Sequence, residues 1–137
     1  MEKERIAKTT IKNNNNPWYG TIGGRDTRDK IFLLSIEEVI NYFGDSGDLR
    51  NRKGWYRGNN RFVLDDGKGH LINDQYNTER AAKDADGQAS WWWLRSPGKD
   101  SKSAAIVHYG GSVFVYGSDV IDYIIGFRPA LWLNLKP

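Results

Sequence analysis

WWWLRSPGKDSKSAAIVHYGGSVFVYGSDVIDYIIGFRPALWLNL, residues 91–135, opens on three consecutive tryptophans and closes with Gly126-Phe127-Arg128-Pro129-Ala130-Leu131-Trp132 ahead of its last three residues. Between these ends lie short apolar pieces cut by Gly110-Gly111 and Gly117, with little charge. Runs of Val, Ile, Phe and Tyr bounded by Gly, Ser and Asp mark short strands joined by tight turns. The pattern predicts strands over 104–107, 112–116 and 127–133. Gly110-Gly111 fits a two-residue hairpin loop, whose central positions favour positive φ. Trp91, Trp92 and Trp93 alternate sides in an extended chain, so Trp92 faces opposite to its neighbours. At least one or two of the three are expected in the core, and the functional reading has one of them lining a ligand surface.

Two motifs, WWLRSPG at 92–98 and GFRPALWL at 126–133, resemble those of a bacterial domain family of unknown function. Asp29-Lys30-Ile31-Phe32-Leu33-Leu34-Ser35 is similar to a third block of that family, so the resemblance spans residues 1–135. The GFRPAL ending also resembles the last strand of the C-type-lectin-like fold used by formylglycine-generating enzymes. It recurs in the variable proteins of diversity-generating retroelements. The resemblance implies an α+β domain of C-type-lectin-like type: a small twisted antiparallel sheet, one or two helices, and long loops. In the first family a Trp- and Leu-rich segment precedes the block similar to residues 2–6, and it is missing here. Either the chain is a fragment of a longer protein or the fold dispenses with those elements.

At 137 residues the chain makes one domain, residues 1–137, with room for a sizeable core. Twenty basic residues against 17 acidic ones leave a net charge of +3, scattered along the sequence. Arg50, Arg52, Lys53 and Arg57, interleaved with Trp55 and Tyr56, form the densest basic group. That group reads as a solvated loop, so no nucleic-acid partner is expected. No apolar run reaches membrane-spanning length, and the N-terminal MEKERIAK lacks the apolar centre of a secretory signal. Neither membrane insertion nor a signal peptide is expected.

The chain has no cysteine. Formylglycine-generating enzymes use active-site cysteines, so the resemblance does not carry that activity. Iron-dependent relatives on the same fold use a set of histidines. Here only His70 and His108 are present, too few for a three-histidine site. No cofactor and no metal are expected.

Glu2 to Ala7 reads as a charged helical turn leading into a β-prone Thr9-Thr10-Ile11. Asn13 to Asn16 before Pro17 is a loop, because asparagine tolerates turns and the residue before proline is held extended. A phosphate loop over residues 20–27 fails for want of its lysine and spacing. Residues 31–34 read as a buried strand. Ser35 and Glu38 then form a capping box, with Leu34 and Val39 placed as a hydrophobic staple. Ile36, Val39, Ile40 and Phe43 share one helical face, and Gly44 ends the helix at 35–43. Residues 45–89 are polar and glycine-rich, with a short strand at 61–64, a turn at 65–67 and a helical turn within 77–83. Asp84-Ala85-Asp86-Gly87 is no EF-hand, because position twelve is Arg95. A solvated loop is expected there. Arg95 suits a semi-buried carboxylate. Arg128, flanked by Phe127, Pro129, Leu131 and Trp132, must be partly buried and paired with Asp119, Asp122 or a loop carbonyl. Ser35, Glu38, Trp92, Arg95, Arg128 and Trp132 are the expected structural residues.

Residues 104–125 contain not one Lys, Glu, Gln, Met or Trp, types that make up 24 of the 137 residues. A proportional share of this block would be about four. Strand composition accounts for part of the depletion. The retroelement resemblance implies a sharper cause. Those systems randomise adenines in asparagine-type codons, and the same five types are the ones that route cannot reach. The resemblance therefore implies a ligand-binding or display domain whose surface carries Ile106, His108, Tyr109, Phe114, Tyr116, Ile121, Tyr123 and Ile124. If His108, Phe114 and Tyr116 point outward, the strand period puts Val107, Val113 and Val115 in the core. The ligand would be a protein or a carbohydrate. Two other readings stay open: a carbohydrate-binding module stacking sugars on Trp or Tyr, and a hydrolase or transferase using His108 with Asp119 or Asp122.

Overall fold

The computed structural model describes residues 5–46, 71–121 and 125–134. Its strands are β1 (Ile6–Ala7), β2 (Thr9–Ile11), β3 (Thr27–Asp29), β4 (Leu71–Ile72), β5 (Ala82–Lys83), β6 (Ala89–Ser90), β7 (Trp92–Pro97), β8 (Ser103–Val107), β9 (Val113–Asp119) and β10 (Trp132–Leu133). The helices are α1 (Ile36–Phe43) and the single turn α2 (Asn77–Arg80). One four-stranded antiparallel sheet, ordered β4-β9-β8-β7, is joined by the two-stranded pairs β1-β10, β2-β3 and β5-β6. The result is an α+β arrangement of small antiparallel sheets with two helices.

The register of the four-stranded sheet explains its two faces. Ile72 lies opposite Val113, Val113 opposite Val107, and Val107 opposite Trp92. These four are at most 1% exposed and form one row of the main core with Leu94, Ala105 and Val115. The adjacent row runs Leu71, Phe114, Ile106, Trp93 and points the other way, as the two-residue period of a strand requires. Trp92 thus faces opposite to Trp91 and Trp93, as the alternation predicts. Burying a large aliphatic or aromatic side chain contributes about 1.5–3 kcal/mol, so the inner row fixes which residues face outward.

Helix α1 forms where its local signals place it. The Ser35 hydroxyl accepts from the Glu38 N–H at 3.1 Å, and the Glu38 carboxylate accepts from the Ser35 N–H at 2.9 Å. Ile36 and Val39 are sealed in the core, Ile40 and Phe43 pack against it, and Gly44 closes the helix at positive φ. Glu38 also takes the Arg95 guanidinium, which donates besides to the carbonyls of Leu33 and Lys12. One arginine on β7 thereby ties the central sheet to the helix start and to the chain following β2.

Several expectations are corrected. Ile6 and Ala7 extend against Leu133 and Trp132, so no helical turn reaches Ala7. The strand expected at 31–34 reduces to a bridge between Phe32 and Ala130, with Ile31 exposed. The strand expected at 127–133 shrinks to that bridge and β10, because Pro129 has no N–H for a ladder. Trp132 lies at the surface, edge-on to Tyr42 at 6.2 Å. The turn at 110–111 is longer than two residues: His108 N–H bonds Ser112 O at 2.8 Å and Gly111 N–H bonds His108 O at 2.7 Å. Only Gly111 has positive φ, and a side chain there would also strike the Asn77 carbonyl. Asp84 accepts the N–H groups of Asp86 and Gln88, so its carboxylate closes the β5–β6 turn. The basic group at 50–57 and the elements expected at 61–67 lie outside the described residues.

Candidate functional site

The outward row of the central sheet carries a second, smaller core. Trp93, Ile106 and Ile125 are buried there, and Leu33, Trp91, Ala104 and Phe114 pack on them. Ile106, at 2% exposure, is therefore interior, which corrects its assignment to a ligand-contacting surface. It sits between Trp93 and Phe114 in the register, where neighbouring side chains cover it from both strands.

A continuous set of rings lies over this second core. Trp91 meets His108, Tyr109 and Phe114 edge to face, with centroids 4.3, 5.8 and 5.1 Å away. His108 stacks on Phe114 at 5.1 Å, and Phe114 stacks on Tyr116 at 5.3 Å. His108 also tilts against Tyr109 at 3.9 Å. Such pairs are worth about 0.5–1.5 kcal/mol each beyond their buried area, so the rings hold one another in place. Tyr109 is 50% exposed at the hairpin tip, and His108, Phe114 and Tyr116 are half-buried. Ile121, 82% exposed, stands beyond the far end of β9 with Val120. Tyr123 and Ile124 lie outside the described residues. The structure thus brings His108, Tyr109, Phe114 and Tyr116 together and leaves Ile121 apart.

His108 Nδ1 accepts the Gly110 N–H at 3.0 Å, which leaves the ring proton on Nε2. Burial among the rings pulls its pKa below the ordinary histidine value, so the imidazole is neutral at pH 7. Burial pushes the Tyr116 phenol up in the same way. The pairing of His108 with Asp119 does not form. Asp119 lies opposite Ser103 while His108 follows Val107 at the other end of β8, roughly 16 Å away along the strand. Asp122 is outside the described residues. Among the described residues, no three His, Asp or Glu side chains converge as metal ligands would.

The family model described as Domain of unknown function (DUF6273) matches residues 1–135. The chain belongs to the DUF6273 family. No curated protein matches it, nor does any solved structure.

Three residues of this DUF6273 domain matter more than their sequence context predicts. Trp91 is the hub of the ring set, a place that strand alternation from Trp93 could have assigned. Arg80 is wholly buried, paired with Asp74 at 2.6 Å and donating to the carbonyls of Gly44, Ile72 and Gly111. Burial alone would raise the Asp74 carboxyl, but the N–H groups of Ser46 and Tyr76 and the Arg80 guanidinium outweigh it and hold it low. Asn16, also sealed, accepts from the N–H groups of Trp18 and Tyr19 and donates to the carbonyls of Pro97 and Val115. No local pattern announces either polar residue.

Arg128 takes a carbonyl, the weakest of the expected partners. It donates to Arg80 O at 3.4 Å and lies over the Trp92 and Phe43 rings at 4.8 and 4.9 Å. Among the described residues, no helix is long and apolar enough to cross a membrane.

Proposed function

We infer that this domain is a binding module on a C-type-lectin-like scaffold, with the ring-covered face as its recognition surface and 104–125 as a segment that varies between copies. The observation that carries this reading is the separation of the two faces. Val107, Val113 and Val115 are fully sealed, while His108 and Phe114 alternate with them and lie off the main core; Tyr116, stacked on Phe114, is half-buried and also packs against that core. A surface built to change needs its fixed side chains inside, where each lost methyl group is felt, and its changeable ones outside. Aromatic rings with few rotors supply contact area at low entropic cost, which suits recognition of a protein surface.

A protein ligand fits better than a sugar. The faces of His108, Phe114 and Tyr116 stack on one another, which leaves Tyr109 as the ring most open to a pyranose. The deciding experiment is to sequence the DNA flanking the gene together with the gene itself from many isolates. The expected result is a reverse transcriptase gene and a near-copy of the 3′ end differing at adenines. Substitutions should gather in the codons for 108, 109, 114, 116 and 121 and spare those for Val107, Val113 and Val115. A genome with neither element, and a segment no more variable than α1, would overturn the reading.

A further inference from the structure

A second site lies beside the ring-covered face and shares only Trp91 with it. The β5–β6 hairpin and the Gly126–Arg128 segment enclose a cleft of about 370 Å³, walled by Lys83, Asp84, Ser90, Trp91, Phe127 and Arg128. That volume falls at the small end of the range for small-molecule sites, about 300–1,000 Å³.

Arg128 is the unusual member. A guanidinium carries five N–H donors and stays charged in proteins. Among the described residues one donor reaches an acceptor, the Arg80 carbonyl at 3.4 Å. Among the described residues no carboxylate pairs with it, although burial is enough to pull its pKa down. A part-buried charge without a counter-ion is costly, and a ligand that supplies the counter-ion removes that cost. The Trp92 and Phe43 rings meanwhile hold the guanidinium at 4.8 and 4.9 Å, which restrains the donor fork before any ligand arrives.

We propose that this cleft binds a small monocarboxylate with a flat body, its carboxylate on the Arg128 fork and its body against Trp91 and the exposed Phe127. The planar fork matches a carboxylate's two oxygens. The charges of the wall decide against a phosphate dianion. Lys83 and Arg128 are opposed by Asp84, whose carboxylate is engaged with the turn, so the cleft offers a net single positive charge.

The test uses the full chain and three probes: benzoate, benzamide and inorganic phosphate. Benzoate is expected to shift the Trp91 indole N–H resonance and the Arg128 Nε–H resonance saturably. Benzamide, the same ring without the charge, should bind about tenfold or more weakly, the effect of losing one charge-assisted contact. Phosphate should produce no saturable shift at the same concentrations. Arg128→Lys keeps the charge without the fork and should weaken benzoate about tenfold. Equal binding of benzoate and benzamide, tighter binding of phosphate, or unchanged benzoate affinity in a folded Arg128→Lys chain would each overturn the proposal. Should that variant fail to fold, the Arg128 Nε–H resonance of the unaltered chain decides: a benzoate-dependent shift supports the site, and its absence refutes it.

Discussion

Replacing Arg80 by Met tests the polar centre of the fold. Arg80 has no exposed surface, and its partner Asp74 has 4% of its side chain exposed. Methionine fills most of the volume but returns none of the donors. The Asp74 carboxylate then loses the guanidinium at 2.6 Å, and the carbonyls of Gly44, Ile72 and Gly111 lose bonds of 3.1 to 3.4 Å. Removing one member of a buried ion pair costs about 3–5 kcal/mol, because the other charge stays behind uncompensated. Orphaned carbonyls add about 1–3 kcal/mol each where water cannot reach them. These terms are not additive, and a loss of about 5 kcal/mol is the expected outcome. For a chain of this size that is a fall of about 15 °C in Tm.

The assay is thermal and urea unfolding of the parent, Arg80→Met, Asp74→Asn and the double variant. The pair is coupled, so the double variant should be more stable than the sum of the single losses implies, by about 0.5–3 kcal/mol. Arg80→Lys should recover little, since one ammonium cannot span the acceptors that the fork reaches. A loss below about 1 kcal/mol in Arg80→Met would show that the carbonyls find other donors, and the account of Arg80 as the fold's polar centre would be wrong.

Ser35→Ala should cost about 0.5–2 kcal/mol by removing the helix cap, and Glu38→Ala should cost more because it also releases Arg95; equal melting of the two variants would contradict the shared role of Glu38. Gly111→Ala should destabilise by well over about 1 kcal/mol, since its φ is +96° and a new Cβ would lie 1.7 Å from the Asn77 carbonyl oxygen; parental stability would mean the hairpin tip moves freely off α2. His108 has its folded pKa lowered below the ordinary value by burial, so the unfolded chain takes up its proton first as pH falls. Stability from this residue is therefore complete above about pH 6.5 and declines as pH drops through that value toward the folded pKa. His108→Gln should flatten that part of the urea-midpoint profile, and an unchanged slope would place the titration elsewhere.

Legibility in the sequence depends on the distance over which each feature is decided. The cap of α1 is a contact between residues three apart, so Ser35 and Glu38 can be read directly. The two faces of β8 and β9 come from the strand period, and the opposite facing of Trp92 from Trp91 and Trp93 needs nothing more. Asn16 is different: one of its acceptors, Val115 O, lies 99 residues along the chain. Arg80 reaches Gly44 O across 36 residues, and no neighbour in sequence hints at it. The departure of residues 127–133 from a continuous strand has a local cause. Their apolar run resembles a strand, but Gly126 spends its backbone bonds on Trp91 and Trp93, and Pro129 breaks the ladder three residues later. Ile106 looks like a surface residue beside its neighbours, because the second core that covers it needs Trp93, Ile125 and Leu33 from three separate stretches.

How the 104–121 hairpin is fastened bears on whether its side chains are free to change. Arg80 holds the Gly111 carbonyl at 3.4 Å, and Asn16 holds the Val115 carbonyl at 2.7 Å. The Lys99 N–H bonds the Tyr116 carbonyl at 2.8 Å, and Val120 N–H bonds the Lys102 carbonyl at 3.0 Å. Every one of these ties ends on hairpin backbone, and each outer partner lies before residue 104. Backbone carbonyls persist through any substitution that keeps the local conformation, whereas a hairpin pinned by its own side chains would loosen with each change. The ring contacts among His108, Tyr109, Phe114 and Tyr116 are then an occupant of the surface and not its fastening. Arg80 extends the arrangement further, because its carbonyl also receives Trp92 Nε1 at 3.1 Å and Arg128 Nη1 at 3.4 Å. The Arg80 side chain thus positions the hairpin tip, while its backbone carbonyl, which any substitution keeps, positions the core tryptophan and the guanidinium of the cleft.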